Sequence, residues 1–290
     1  MPWGNKPSDG GHLILSEDER LELLAEFPSA HKFVRRYMSG GDFIDDTTRY
    51  CLWLTEAKPE EIKSMPPIME RVAKVKAFRL GSKASTTRDY AMYPTRFRQI
   101  AQPGSDYLAI PEVSSEKRPY IPIAVIAKDV ICSNTVQFVP GAGIFVFGIL
   151  TSSMHMAWVR VVAGRLESRY RYSNTLVYNN YPWPSPTPAQ KAKVEELAQA
   201  VLDARAFYPD SPLAQLYDPL LMPHELTKAH QRLDRAVERC YRPQPFASDR
   251  ERIEFLFALY EQLTAPLLPA APPTRRRAGK ASAPASQNRT

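Results

Sequence analysis

A chain of 290 residues, 44% hydrophobic and 24% charged, has the composition of a folded globular protein and the length for one large domain or two modest ones. It has no run of about 18 apolar residues and no apolar leader, so neither a transmembrane helix nor export is expected, and the expected location is the cytoplasm. The net charge of +7 is uneven: Pro266–Thr290 carries five basic residues and no acid, Arg71–Arg118 ten against four acids, and Arg160–Arg171 four against one, an asymmetry that suits a phosphate-facing surface or a solvated face.

Trp3–Gly11 is rich in turn formers and reads as an irregular lead-in to strand-like His12–Ser16. Ser16 and Glu19 make a capping box, which predicts a helix over Glu17–Phe27, stopped by Pro28. His31–Met38 is mixed, Gly40-Gly41 reads as a chain break, and Arg49–Thr55 reads as a strand. Pro66-Pro67 starts a helix with Ile68, Val72 and Val75 on its core face and Gly81 at its end. Ser82–Arg88 is polar and basic and reads as a loop. Four β-like runs follow, Tyr107–Val113, Tyr120–Ile126, Val130–Val139 and Gly143–Leu150, with Ser114–Pro119 as a hairpin tip between the first two. Thr151–Gly164 places Met154, Ala157, Trp158, Val161 and Val162 at helical spacing. Thr175–Tyr178 reads as a strand, and Tyr181–Pro184 stops it.

From Thr187 the pattern turns helical, with helices expected to Tyr208, over Leu213–Tyr217, Pro223–Cys240 and Asp249–Thr264. A second capping box, Ser248 with Glu251, opens the last. The residues after Pro266 are poor in apolar side chains and are expected to be disordered. The expected fold class is α+β: a mixed β-sheet domain with packed helices over 1–184, an all-α helical subdomain over 185–266, and a disordered basic tail over 267–290.

The chemistry is mostly absent. There is no Gly-rich phosphate loop, no metal-ligand spacing and no nucleophile elbow. His12, His31, His155, His224 and His230 are scattered, and Cys51, Cys132 and Cys240 are far apart and odd in number. Asn180-Tyr181-Pro182-Trp183 holds the residue types of an amino-methyltransferase motif in the wrong order, because Tyr181 separates the amide from the proline that must converge on one amino group. No catalytic, cofactor-binding or metal-binding residue is therefore assigned. What remains is a binding surface. Ser114, Ser115, Glu116, Lys117, Arg118 and Tyr120 put cations, a carboxylate and hydroxyls on one short loop, a set able to read base edges. Lys83 and Arg88, among hydroxyls, suit phosphates. Arg160, Arg169, Arg171, Tyr172, Ser173 and Asn174 interleave cations with aromatic and polar groups, either a phosphate clamp or a structural corner with buried tyrosines.

At these residues the chain resembles a known family. GNKPSDGGHLILS (Gly4–Ser16), RYCLWL (Arg49–Leu54), ERVAKVKAFR (Glu70–Arg79), DYLAIPEVSSEKRPYIPI (Asp106–Ile123), LTSSMHMAWVR (Leu150–Arg160) and RYSNTLVYNNYPWP (Arg171–Pro184) together resemble the C-terminal part of MmeI-like Type IIL restriction–modification enzymes and related adenine-N6 DNA methyltransferases. Leu216–Tyr241 is similar to the helical region that follows in those proteins. The resemblance implies a target recognition domain, a C-terminal helical domain and double-stranded DNA as partner. The family's nuclease motif, cofactor loop and Asn-Pro-Pro-aromatic motif have no counterpart in these residues, so its catalysis is not carried over. S-adenosylmethionine is expected in a missing or partner domain, with a methyltransferase core encoded upstream as the second partner. The expected function is sequence-specific DNA recognition; the alternative is a protein-interaction remnant that docks a methyltransferase core and binds DNA weakly alone.

Overall fold

The computed structural model describes residues 1–265. β1 (Ile14–Leu15) leads into α1 (Glu17–Glu26), where the expected capping box forms: Ser16 Oγ accepts from the Glu19 amide, and the Glu19 carboxylate accepts from the Ser16 amide. The mixed segment resolves into a 3-10 turn, Pro28–Phe33, and β2 (Val34–Met38). Gly40-Gly41 does not break the chain; it is the first turn of α2 (Gly40–Asp45). Ser39 and Asp42 cap that turn reciprocally, and Arg49 from β3 (Arg49–Leu52) grips the Asp42 carboxylate. α3 (Pro59–Lys63) opens with a proline in its first turn, as does α4 (Pro66–Leu80), which buries Ile68 and Val75 and ends at Gly81. The expected loop at 82–88 closes instead into α5 (Ser85–Asp89), because Arg88 donates back to the Ser82 and Lys83 carbonyls, both at 2.8 Å.

Arg79 is the largest charge buried in this half. It is 0% exposed, and its guanidinium donates to the carbonyls of Pro7, Ser8, Tyr90, Tyr93 and Arg96 at 2.7–3.4 Å. One side chain thus ties the irregular lead-in to the segment after α5; the Pro7, Tyr90 and Tyr93 carbonyls also accept from the amides of Arg98, Tyr93 and Arg96, and Arg79 adds a donor to each as well as to Ser8 and Arg96.

β4 (Tyr107–Pro111), β5 (Val113–Ser114), β6 (Ala124–Ile126), β7 (Ile131–Cys132) and β8 (Val136–Pro140) follow. The expected fourth strand is a helix, α6 (Ile144–Leu150). An apolar run of this length does not by itself separate a buried helix from a buried strand. α7 (Ser153–Val162) turns Met154, Ala157 and Trp158 inward; Val161 is instead 57% exposed, because the chain leaves the helix at Ala163 for the hairpin β9 (Gly164–Leu166) and β10 (Arg169–Arg171). Thr175–Tyr178 is not a strand. Asn174–Tyr178 forms a π-helical turn in which the Asn179 amide donates to the Asn174 carbonyl at 2.8 Å. The helical region follows its sequence signals closely: α8 (Pro188–Ala206), α9 (Leu213–Leu216), α10 (His224–Arg239) and α11 (Asp249–Thr264). The tail expected to be disordered lies outside the described residues.

The strands make three small sheets: β1-β3-β2-β7, mixed because β2 and β7 run parallel; β6-β4-β8; and β5-β10-β9, the last two antiparallel. β4 is the central strand of its sheet and buries every residue. Packing is continuous across residues 184–185: Leu108, Phe147, Trp158, Val194, Leu233 and Leu256 belong to one core. Gly148 permits the closest of these contacts, since a Cβ there would lie 2.9 Å from Val194 Cγ1 and 3.0 Å from Ala198 Cβ. The first half has its own core around Leu13, Leu52, Ile68 and Phe97. Among the described residues no single helix is long and apolar enough to cross a membrane; the bent pair α6–α7 is apolar because it sits in the core.

A polar network runs through the larger core. Arg205 donates to the Ile123 carbonyl at 2.6 Å and to Tyr217 Oη at 2.8 Å. His230 Nδ1 lies 3.2 Å from the Thr151 carbonyl, which can only accept, so Nδ1 carries the proton and Nε2 accepts from Tyr217 Oη at 2.8 Å. His155 Nε2 pairs with Tyr172 Oη at 3.0 Å.

Arg79→Met leaves buried carbonyls without a donor, and the expected cost is about 3 kcal/mol or more by denaturant titration; Arg79→Lys, with no planar fork, recovers only part of it. Burial holds both His155 and His230 down to about 3. The unfolded chain therefore takes up protons that the native state refuses, and stability is complete above about pH 6.5 and falls as pH drops towards 3. Asp234, pushed by burial up to about 6, acts in the opposite sense, losing stability as pH rises through 6, but it is one group against two. Urea midpoints measured from pH 7 to pH 4 should fall, and His155→Leu should make the fall shallower.

Candidate nucleic-acid interface

β4 and β6 are neighbours in one sheet, but a tight hairpin does not join them. Residues 112–123 leave the sheet, and β5 pairs with β10 in another, Ser114 opposite Tyr170 and Val113 opposite Arg171. Beyond Ser114 the chain turns sharply: Ser115 Oγ accepts from the Lys117 amide and the Ser115 carbonyl accepts from the Arg118 amide, both at 3.3 Å. Glu116 and Lys117 occupy the apex. The loop then returns inward, where Tyr120 donates to Asp234 Oδ2 at 2.7 Å and stacks on His230 with ring centroids 4.0 Å apart.

A groove of about 500 Å³ runs beside this loop, walled by Gly40, Gly41 and Asp45 of α2, by Ser115 and Arg118, and by Arg169 of β10. Arg118 is half-buried. Burial lowers the pKa of its guanidinium below the ordinary value, and the charges of Asp45 and Asp218 oppose that shift. Arg171 pairs with Glu112 at 3.0 Å, and Arg169 with Glu167 at 2.8 Å. The groove thus mixes cations with carboxylates near one exposed loop apex, an arrangement that can discriminate hydrogen-bond donors from acceptors as well as bind charge.

The structure brings Ser115, Glu116, Lys117, Arg118 and Arg169 together, with Arg171 on the strand behind them. It separates the other candidates. Ser114 lines the groove but is 2% exposed within β5, so its side chain supports the loop rather than facing solvent. Tyr120 is committed to Asp234 and His230. Tyr172 is 1% exposed with its hydroxyl on His155, which corrects its assignment to a contact surface. Ser173 Oγ caps the π-helical turn by accepting from the Leu176 amide, and Asn174 Nδ2 donates to the Met1 carbonyl at 2.8 Å. Residues 172–174 are therefore a structural corner. Arg160 forms an ion pair with Asp249 of α11. Lys83 and Arg88 lie at the α4–α5 corner and do not line the groove; Arg88 spends its guanidinium on α5's own start.

The basic run Arg71–Arg118 is also less free than its charge suggests. Arg71 donates to the His12 and Ile14 carbonyls, Lys74 pairs with Glu70, Arg98 donates to Thr86 Oγ1, and Arg79 is buried. Sequence reasoning missed Glu112 and the α2 wall. A signal for α2 was present, since Ser39 and Asp42 stand at capping-box spacing, but the two glycines between them read as a break.

Comparison with known proteins bears on this surface. The model of the MmeI target recognition domain matches residues 1–185, and that of the MmeI C-terminal domain matches residues 186–268. DNA methyltransferase A of Bacillus subtilis (strain 168) is 41% identical over 264 residues, covering 91% of this chain and 30% of that protein. The solved structure of the Type IIL restriction-modification enzyme MmeI in complex with DNA superposes with a TM-score of 0.88 at 46% identity, covering 91% of this chain and 35% of that one. The chain spans about a third of the length of these relatives.

Tyr120 and Tyr172 are expected to behave as core residues. Tyr120→Phe and Tyr172→Phe should each lower stability by about 1–3 kcal/mol, since each leaves a buried partner short of a hydrogen bond. The sequences enriched from a randomised duplex pool should not change.

Proposed function

This chain belongs to the MmeI family, and from that premise we propose that it is the family's sequence-reading portion: a module that recognises a specific double-stranded DNA site. The loop Ser115–Arg118 with Arg169 reads base edges in a groove of the duplex, while cations elsewhere on the surface hold phosphates. Adenine-N6 methyl transfer and its S-adenosylmethionine belong to a methyltransferase core outside these residues, a partner in cytoplasmic DNA modification. The relatives' names support this assignment: one is a DNA methyltransferase and the other a restriction–modification enzyme solved with DNA.

One observation carries the proposal. Lys117 at the loop apex is exposed and Glu116 and Arg118 beside it are half-buried, yet both flanks are pinned, at Ser114 in the β5–β10 ladder and at Tyr120 on α10. Base discrimination requires donors held in fixed positions, and a loop anchored at both ends supplies them without losing much entropy on binding. Arg can donate two hydrogen bonds to guanine, and Glu can accept from the cytosine amino group. Arg118 and Glu116 are the residues of this loop with those capacities.

Arg118→Ala should cost about 1–3 kcal/mol on the preferred duplex and relax the preference at one base pair. Lys117→Ala should weaken binding to all duplexes alike. Enrichment from a randomised duplex pool, followed by affinity measurement on the enriched sequence, reads both. An equal loss on every sequence for Arg118→Ala makes it a phosphate contact. Failure of the chain to enrich any sequence favours a docking role over direct recognition.

A further inference from the structure

α10 carries a second basic surface, which shares no residue with the groove beside the loop. Lys228, Arg232, Arg235 and Arg239 follow at i, i+4, i+7 and i+11, so they form one stripe along the helix, and all four are exposed. With a rise of 1.5 Å per residue the stripe is about 16 Å long. Among the described residues none of the four is in an ion pair, and residues 266–290 contain no Asp or Glu side chain. The acids of α10 are engaged elsewhere: Glu225 accepts from Tyr208, Asp234 from Tyr120 and the Ser153 amide, and Glu238 pairs with Arg252. Across a shallow groove, α8 adds Lys193, which is paired with Glu196.

Four like charges at helical contact spacing repel one another, at a cost of a few tenths of a kcal/mol for each adjacent pair. Nothing in the fold uses them. The core face of α10 is Leu226, Ala229, Leu233, Ala236 and Val237, and the stripe lies away from it, on the α8 side. Tyr120 and Asp234 meet on a different side of the helix, so the stripe is not an extension of the reading loop.

We infer that this stripe is a sequence-independent binding site for the phosphodiester backbone of duplex DNA. Three of the four cations are arginines, whose planar forks bind phosphate oxygens in pairs. A protein partner is less well matched. The groove between α8 and α10 offers Ala189, Ala236 and Leu197 as its apolar surface, with no exposed aromatic residue to serve as an interface anchor. A polyanion needs no such anchor, because counterion release supplies the affinity. The inference rests on the proposed function only in taking DNA as ligand.

The test compares the full chain with the R232Q/R235Q/R239Q variant, which keeps good helix formers at exposed positions. Circular dichroism and thermal melting should show an unchanged fold of equal or slightly higher stability. Binding to duplex DNA is then measured from 50 to 300 mM salt. The slope of log affinity against log salt should become shallower by about 0.9 for each phosphate that the variant no longer neutralises, roughly two to three in all. Affinity should fall by the same factor for enriched and scrambled duplexes, and the enriched sequence should stay the same. An unchanged slope, or a wild-type chain that binds no duplex even at 50 mM salt, overturns the inference. Failure here with sequence enrichment retained leaves the reading loop standing. A shallower slope in a chain that enriches no sequence supports the stripe and removes the reading loop.

Discussion

The contact between the loop 112–123 and the helices α8 and α10 is the constraint on which the rest depends. It is polar and buried. Tyr120 donates to Asp234 and lies flat on His230, while the Ile123 carbonyl accepts from Arg205, which also donates to Tyr217. His230 in turn accepts from Tyr217 and donates to Thr151. Each of these groups would be costly if left unpartnered in the core, so the network is satisfied in one arrangement and poorly in others. That property fixes the loop's path. It also makes the helical region a backstop rather than an appendage, since the residues that hold the loop come from 186–268, outside the part matched as target recognition domain.

Arginine has two different uses in this chain, and charge counting does not separate them. Arg79 and Arg205 are buried donors that gather backbone carbonyls and a phenol, and they would be needed whatever the protein bound. Arg118 and Arg169 line an open groove. The difference follows from surroundings. A guanidinium with five donors in a plane is the side chain best able to satisfy several carbonyls at an irregular chain crossing, and the lead-in before β1, which has no ladder of its own, creates that need.

The legible parts of the sequence were those with local chemistry. Ser16-Glu19, Pro66-Pro67, Thr187-Pro188 and Ser248-Glu251 fixed helix starts, because caps and first-turn prolines act within four residues. The misread parts were those decided by distant partners. Gly143–Leu150 is apolar enough for a strand and becomes a helix because Gly148 lets it lie against Val194 and Ala198. Thr175–Tyr178 has strand composition and becomes a π-helical turn that offers the Val177 carbonyl to Trp158 Nε1 at 3.1 Å. Composition singled out the loop that lines the groove, but not the groove's other walls. α2 and β10 reach it through pairings between residues far apart in sequence, and of the corner 169–174 only the structure shows that Tyr172 faces inward.

These constraints divide labour within the molecule. Ser114 and Tyr120 are committed to the fold, whereas Lys117 is exposed and Glu116 and Arg118, though half-buried, make their side-chain and turn hydrogen bonds only within residues 114–118. A change at exposed Lys117 therefore alters donors without opening a cavity or stranding a buried polar group, the two mechanisms behind most large stability losses, and changes at half-buried Glu116 and Arg118 cost less than changes at Ser114 or Tyr120. In the proposed function, phosphate contacts made by cations on other surfaces would be independent of which bases the apex prefers. Under that function, such a module would change its preferred sequence at the loop apex and keep its fold, provided that Tyr120 and Asp234 remain to pin the loop.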